Sequence, residues 1–303
     1  MPPERVDPLP LLTASRVIVV AGKGGVGKTT VTAVVARAAA DAGRRVLVVE
    51  LDGKPALGAL VDEIPLQSID APSALDEYLR EHGFARIAKR LSSTGVIEVV
   101  GTAAPGIDDI VVLGKIKQLE RSGEYDVIVV DGPAAGHATT FLTSARGLLD
   151  AARSGPVHRQ AREVIDLLAD PARCQVVLVA MPETTPVNEV VETAYALEER
   201  VGVQLGPVVV NGVDVAEGEP PLDADALDAL DAADGVLDDD DREALRAAAE
   251  FRIARRQMQR AELARLAEEL ALTQVHLPAL PVAGVDADGV RRLAAALTAE
   301  VGL

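Results

Sequence analysis

Gly22-Lys23-Gly24-Gly25-Val26-Gly27-Lys28-Thr29 follows a short β-branched run, Val17–Val20, and opens an Ala-rich helical pattern, Thr29–Ala42, that stops at Gly43. The string satisfies G-x-x-x-x-G-K-[ST] at every fixed position, between the strand and the helix that this spacing requires. Its physical purpose is to hold phosphate. Glycines let successive backbone N–H groups turn inward around the anion, and the helix N-terminus adds the positive end of its dipole. Gly22, Gly24, Gly25, Val26 and Gly27 would supply that cradle, Lys28 would reach the β- and γ-phosphates, and the Thr29 hydroxyl would ligate Mg²⁺. The alternative, a glycine-rich turn with no ligand, does not need both flanks and all the fixed positions to be correct.

Outward from this loop, β-branched runs alternate with helical patterns. The runs are Val17–Val20, Val46–Val49, Val96–Val100, Val127–Val130, Val176–Val179, Val208–Val210 and Val275–Leu277. Nearly continuous Val/Ile/Leu strands are those buried on both faces, and strand–helix alternation implies right-handed crossovers. The expected fold class is α/β: a doubly wound, mostly parallel sheet of the P-loop NTPase kind with an attached helical layer. Residues 1–15, with four prolines and no apolar run, read as a loose tail rather than a signal peptide. Residues 16–303 read as a single ATPase domain, interrupted by helical insertions at about 61–122 and 214–272. The first insertion carries helical patterns at Ala74–Leu91 and Asp108–Leu119. The second opens with a Pro/Asp-rich loop and an acidic run, Asp238–Asp241, read as a solvated loop because its spacing does not fit an EF-hand.

Composition excludes several classes of function. The net charge of −17 and an aromatic content of 2% argue against a protein that grips a nucleic-acid backbone or stacks bases. A lone cysteine, Cys174, allows neither an internal disulfide nor a CxxC metal knuckle, which fits a reducing cytoplasm and a buried, space-filling role. No segment has the roughly 18 consecutive apolar residues of a membrane span.

Two strand ends are acidic. The Val127–Val130 run ends in Asp131, a natural position for holding Mg²⁺ through water, and the Val46–Val49 run leads into Glu50-Leu51-Asp52. Ligands of open α/β sheets bind at strand carboxyl ends, so these carboxylates should face the phosphates. Asp52 is placed to orient the attacking water, with a loop-capping aspartate as the alternative. Lys23, directly after the first glycine, resembles the second lysine of the deviant Walker A loop found in ParA, MinD and nitrogenase iron protein. That resemblance implies a dimer in which Lys23 reaches the partner's nucleotide, much as an arginine finger does. An exposed loop lysine is the alternative.

Asp131-Gly132-Pro133-Ala134-Ala135-Gly136-His137 resembles switch II of the arsenite-pump (ArsA) and tail-anchored-protein targeting ATPases, which reads Asp-Thr-Ala-Pro-Thr-Gly-His. Ala104-Pro105-Gly106 with Asp108-Asp109, Gly155-Pro156-Val157-His158-Arg159-Gln160, Met181-Pro182-Glu183, the strand end at Asn211, and Leu277-Pro278-Ala279-Leu280-Pro281 resemble the same family, especially its bacterial single-unit branch. The resemblance implies an ATPase using ATP and Mg²⁺. Thr30 would contact the α-phosphate, Asn211 would read the adenine edge, Pro278 would lie near the base, and Asp52 would position water. Gly136 and His137 would belong to switch II. It also implies a dimer with a second copy or a related ATPase chain, and a protein client, including one at a membrane.

The departures matter. Switch I of the family reads Asp-Pro-Ala-His, against Asp52-Gly53-Lys54-Pro55 here, and Gly132 and Ala135 replace the switch II threonines. Slow or differently triggered hydrolysis is therefore expected. With Cys174 alone, neither a zinc clasp nor a metalloid site carries over. Three functions compete: an ATP-hydrolysing dimeric switch, a nucleotide-binding regulatory half of a heterodimer, and a ParA/MinD-like positioning ATPase, which the charge balance and the Gly136-His137 ending disfavour. The pattern after Asp241 sets an apolar stripe (Ala244, Ala248, Phe251, Met258, Leu263, Leu266, Leu270) beside Arg252, Arg255, Arg256, Arg260 and Arg265. It reads as layer packing with a solvated basic side, with a client groove as the competing reading.

Overall fold

The computed structural model describes residues 7–51, 55–81, 106–151, 154–214 and 238–299. Eight strands form one sheet: β1 (Val17–Gly22), β2 (Val46–Glu50), β3 (Leu66–Ser68), β4 (Val127–Ala134), β5 (Cys174–Ala180), β6 (Gln204–Leu205), β7 (Val208–Val213) and β8 (Gln274–Pro278). The order is β3-β2-β4-β1-β5-β7-β8, with β6 paired to β5, and the pairings are parallel. The α/β, doubly wound expectation holds.

Side-chain alternation divides the strands between two cores. Ile18 and Val20 of β1, Val46 and Val48 of β2, and Val127 and Val129 of β4 face one side. There they meet α1 (Leu9–Leu12), α2 (Lys28–Asp41), α3 (Pro55–Val61) and α10 (Ala287–Ala299). Val17, Val19, Leu47, Val49, Ile128 and Val130 face the other side. They meet α5 (Ile107–Ser122), α6 (Ala135–Ala151), α7 (Pro156–Ala169) and α8 (Thr184–Arg200), beside α4 (Ala71–Glu81). Complete burial of each Val, Leu or Ile contributes about 1.5–3 kcal/mol, so a core built almost without rings is sufficient for a chain of this size. Cys174 is buried at the start of β5, where desolvation pushes its thiol up to about 12 and keeps it an inert filler.

Four sequence expectations need correction or a limit. Residues 7–15 are not a loose tail: Leu12 is fully buried, Gln175 Nε2 donates to the carbonyls of Leu11 and Leu12, and Ser15 Oγ donates to Pro171 O. The first insertion contains an edge strand, β3, that extends the sheet beside β2. Its three residues, Leu66-Gln67-Ser68, are largely exposed and have no β-branched run to signal them. Helix α5 of the same insertion is attached to the core as expected, with Ile110, Leu113 and Ile116 buried on the sheet. The Val96–Val100 run and residues 82–91 of the Ala74–Leu91 pattern lie outside the described residues.

The largest correction concerns α9 (Asp239–Glu269). The acidic run is not a loop but the helix start: the Asp238 side chain accepts from Asp241 N at 2.8 Å, and Asp239–Asp241 complement the dipole in the first turn. Only the C-terminal part of the apolar stripe is buried, at Leu266 and Leu270, while Phe251 is 69% exposed. Two of the arginines expected to be solvated, Arg252 and Arg256, instead anchor the helix, whereas Arg255 and Arg260 are exposed. Arg252 Nε and Nη2 each donate to Asp214 at 3.0 Å, and Arg256 Nη2, on a buried side chain, donates to Asp214 Oδ1 at 3.1 Å. Gln259, also buried, accepts from Asp214 N. Period-3.6 reasoning assigned the inward face by hydrophobicity, whereas an ion cluster at the end of β7 decides it.

Arg252 and Arg256 hold the Asp214 carboxyl well below the usual carboxylate range, at about 2. A depressed folded-state pKa stabilises the fold above the unfolded pKa near 4, and that contribution disappears as pH falls towards 2. Asp214→Asn should therefore cost roughly 2 kcal/mol at pH 7. In thermal melts the gap between variant and wild type should close as pH is lowered from 4 towards 2.

Candidate functional site

The site is built where the carboxyl ends of β1 and β4 meet the N-terminus of α2. This is the position at which the chain, having run to one side of β1, later returns on the other with β5. From the end of β1 the loop passes through Gly25 at φ 89° and Gly27 at φ 90° before α2 begins at Lys28. Gly27 is the strictest position. A Cβ there would lie 2.3 Å from Asn211 Nδ2, and the left-handed backbone itself disfavours any side chain. The turn aims successive N–H groups into one concavity ahead of the helix. Thr30, half-buried, is on the first turn of α2.

Lys28 is buried, and its Nζ donates to the carbonyl of Lys23 at 3.0 Å, so the amine folds back over the loop it follows. Thr29 Oγ1 donates to Asp131 Oδ2 at 2.9 Å, across 102 residues of chain. Asp131 is 2% exposed, and its other oxygen, Oδ1, lies 3.4 Å from Thr32 Oγ1. Two hydroxyls of one helix thus steady this carboxylate of β4. Sequence reasoning had brought Thr29 and Asp131 together but had missed Thr32, whose only signal is its i+3 spacing from Thr29 on the same helix face.

The remaining sequence candidates are distributed around this centre. Lys23, half-buried, pairs with Glu189 of α8 at 2.5 Å within the same chain. No motif pointed to Glu189, which the fold brings in from 166 residues away. Asn211, at the end of β7, donates from Nδ2 to Val26 O at 3.0 Å and so braces the loop against β7. Pro278 ends β8 beside Val213 of β7, on the same flank. Gly136 and His137 are exposed on the first turn of α6, past the end of β4. His137 lines a cavity of about 280 Å³ with Leu51, Asp108, Asp109, Pro133 and Phe141. Burial, and then the neighbouring Asp108 charge, raise the Asp109 carboxyl above its ordinary value, while His137 opposes the shift. Asp52 lies outside the described residues.

The strain at Gly27 makes a direct test of the cradle. Gly27→Ala places a methyl against Asn211 and forces an L-residue into the left-handed region, at a cost of about 1–2 kcal/mol. Nucleotide affinity, read by titration with a fluorescent ADP analogue, should fall about tenfold. The chain should still fold, with its melting transition lowered by a few degrees.

Comparison with known proteins agrees with this geometry. The profile of the anion-transporting ATPase family matches residues 15–151, the stretch from β1 to the end of α6. The chain is 34% identical over 256 residues to the ATPase BagA of Mycobacterium tuberculosis, covering 76% of this chain and 72% of that protein. It is 31% identical over 224 residues to an arsenical pump-driving ATPase of Escherichia coli, covering 68% of this chain and 36% of that one. The likeness to an arsenical pump-driving ATPase of Acidiphilium multivorum is 29% over 222 residues, again with 36% of that protein covered. The shared stretch includes the phosphate-type loop and the Asp131 strand end, and on this basis the chain belongs to the ArsA-like ATPase family.

Proposed function

We propose that this chain is an ATP-hydrolysing molecular switch, acting in the cytoplasm, that closes as a dimer on ATP and couples its nucleotide state to a protein client, including one at a membrane. The observation that carries this reading is the Thr29–Asp131 hydrogen bond at the mouth of the glycine loop. It sets a hydroxyl and a carboxylate side by side where the γ-phosphate would end. This all-oxygen donor set fits a hard cation that keeps most of its water, as Mg²⁺ does. When bound, Mg²⁺ would supply positive charge against the negative charge that develops on the transferred group. Thr29 would hold it directly, and Asp131 through water.

The protein's own groups would then do the positioning. Lys28 would exchange its bond to Lys23 O for the β- and γ-phosphates. Gly22, Gly24, Gly25, Val26 and Gly27 would hold the phosphate chain through backbone N–H groups, with Thr30 at the α-phosphate and Asn211 and Pro278 on the base side. Asp52 would orient the water whose oxygen attacks the γ-phosphorus as the bond to the β,γ-bridging oxygen breaks and ADP leaves. Lys23 is held in cis by Glu189, so closing on a partner would require it to leave that carboxylate for the partner's phosphates. Movement at Gly136 and His137, adjoining the strand end, would pass the nucleotide state to the helices around α6.

One observation favours a second reading, the regulatory half of a heterodimer with little hydrolysis of its own. A Cβ at Gly132 would lie 2.5 Å from Val20 O, so β4 presses against β1 where a hydroxyl-bearing side chain stands in the switch II pattern. Single-turnover hydrolysis by the purified chain, alone and with candidate partner chains, separates the two.

Lys28→Ala should weaken nucleotide binding about 10- to 100-fold, the value of a charge-assisted hydrogen bond. Lys23→Ala should leave binding within about threefold of wild type yet reduce turnover about 10³-fold, as loss of an arginine finger does. Full turnover in Lys23→Ala would rule out the trans-acting lysine. Glu189→Gln, by freeing Lys23, should lower the protein concentration at which turnover is half-maximal.

A further inference from the structure

Glu50, the last residue of β2, is 6% exposed, and its Oε1 has no hydrogen-bond partner among the described residues. It stands in register with Asp131 of the neighbouring strand β4. Register partners in a parallel pair lie about 4.8 Å apart and point to the same face. The face is set by alternation. Val46 and Val48, at i−4 and i−2 from Glu50, pack in the core that contains Val31, Val34 and Val35 of α2. Val127 and Val129 do the same ahead of Asp131, whose carboxylate bonds Thr29 and Thr32 of that helix. Glu50 therefore points towards the N-terminal end of α2, beside Asp131.

A buried carboxylate oxygen with nothing to accept from is expensive, and a second carboxylate one strand away makes it more so. A satisfied structural glutamate would meet a cation or an N–H; among the described residues neither reaches this oxygen. What both carboxylates can accept from is the water shell of a divalent cation that Thr29 ligates, since those waters carry several outward-pointing O–H donors. We propose that Glu50 is a second carboxylate of the magnesium site, holding the hydrated ion from the β2 side while Asp131 holds it from the β4 side. This rests on the reading of Gly22–Thr29 as a phosphate cradle. It assigns to Glu50 a positioning role that the motif spacing, centred on Asp52 and Asp131, does not reach. It also makes the metal site of this chain more negative than one carboxylate would, which suits an ion held before the γ-phosphate supplies its own oxygens.

The test is Mn²⁺ binding, followed by electron paramagnetic resonance at a fixed saturating concentration of ADP, with Mn²⁺ standing in for Mg²⁺. Glu50→Gln keeps the size of the side chain and removes the charge. It should raise the Mn²⁺ dissociation constant at least tenfold, as Asp131→Asn should too, while ADP affinity in EDTA stays within about twofold of wild type. Wild-type Mn²⁺ affinity in Glu50→Gln overturns the proposal and leaves the phosphate cradle standing. Failure of the wild-type chain to bind Mn²⁺ in an ADP-dependent way overturns both. Should Glu50→Gln not fold, Glu50→Asp carries the test: it keeps the charge but shortens its reach, so Mn²⁺ affinity should drop several-fold, and an unchanged value overturns the proposal.

Discussion

The Asp131 carboxylate ties the architecture to the site. It closes the buried strand β4, is 2% exposed, and accepts from Thr29 and approaches Thr32 on α2. A charge this far from water is tolerated only where donors are fixed around it. The helix that supplies those donors is the one whose N-terminus the glycine loop serves. Strand end, helix start and loop are thus one mechanical unit. Their relative placement depends on β1 lying between β4 and β5, which sets the crevice at its carboxyl end.

Around that unit the protein holds its other charged groups in pairs. Lys28 bonds the carbonyl of Lys23, Lys23 pairs with Glu189, and Asn211 braces Val26. Two of these contacts end on backbone carbonyls of the loop itself, and the third is a half-exposed ion pair that links the loop to α8. The loop is therefore pre-shaped. Glu189 lies on α8, a helix of the core, so the ion pair ties Lys23 to a fixed element.

The helix α9 follows a different logic. It is anchored by the Asp214–Arg252–Arg256 cluster at the end of β7 and by Leu266 and Leu270 near its own end. Its first half is largely exposed, with Phe251 facing solvent. A clamp of charged groups fixes where the helix leaves the body, and a short apolar contact fixes where it rejoins. Because the clamp adjoins the strand that also carries Asn211, the brace on the glycine loop and the root of α9 share one strand, β7.

Much of this was legible in the residues alone. The Val/Ile runs dictate strands buried on both faces, since no other arrangement hides such side chains, and Gly22–Thr29 dictates a phosphate-type loop because its glycines and lysine have no other common use at that spacing. Asp131 was recognisable as a strand-end carboxylate. What the sequence could not decide is set by contacts between distant segments. Glu189 reaches Lys23 across 166 residues, and an ion cluster, not hydrophobicity, turns Arg256 inward. β3 forms because β2 offers it an edge, not because Leu66–Ser68 prefer a strand. Among the described residues, Glu50 becomes a buried, unpartnered carboxylate only once β2 and β4 pair in register. Local pattern determines which segments are strands, helices and loops. Which charged groups meet, and which are left needing a partner, is decided by the tertiary fold, because the strength of a charge pair depends on separation and burial, and neither is written in the order of residues.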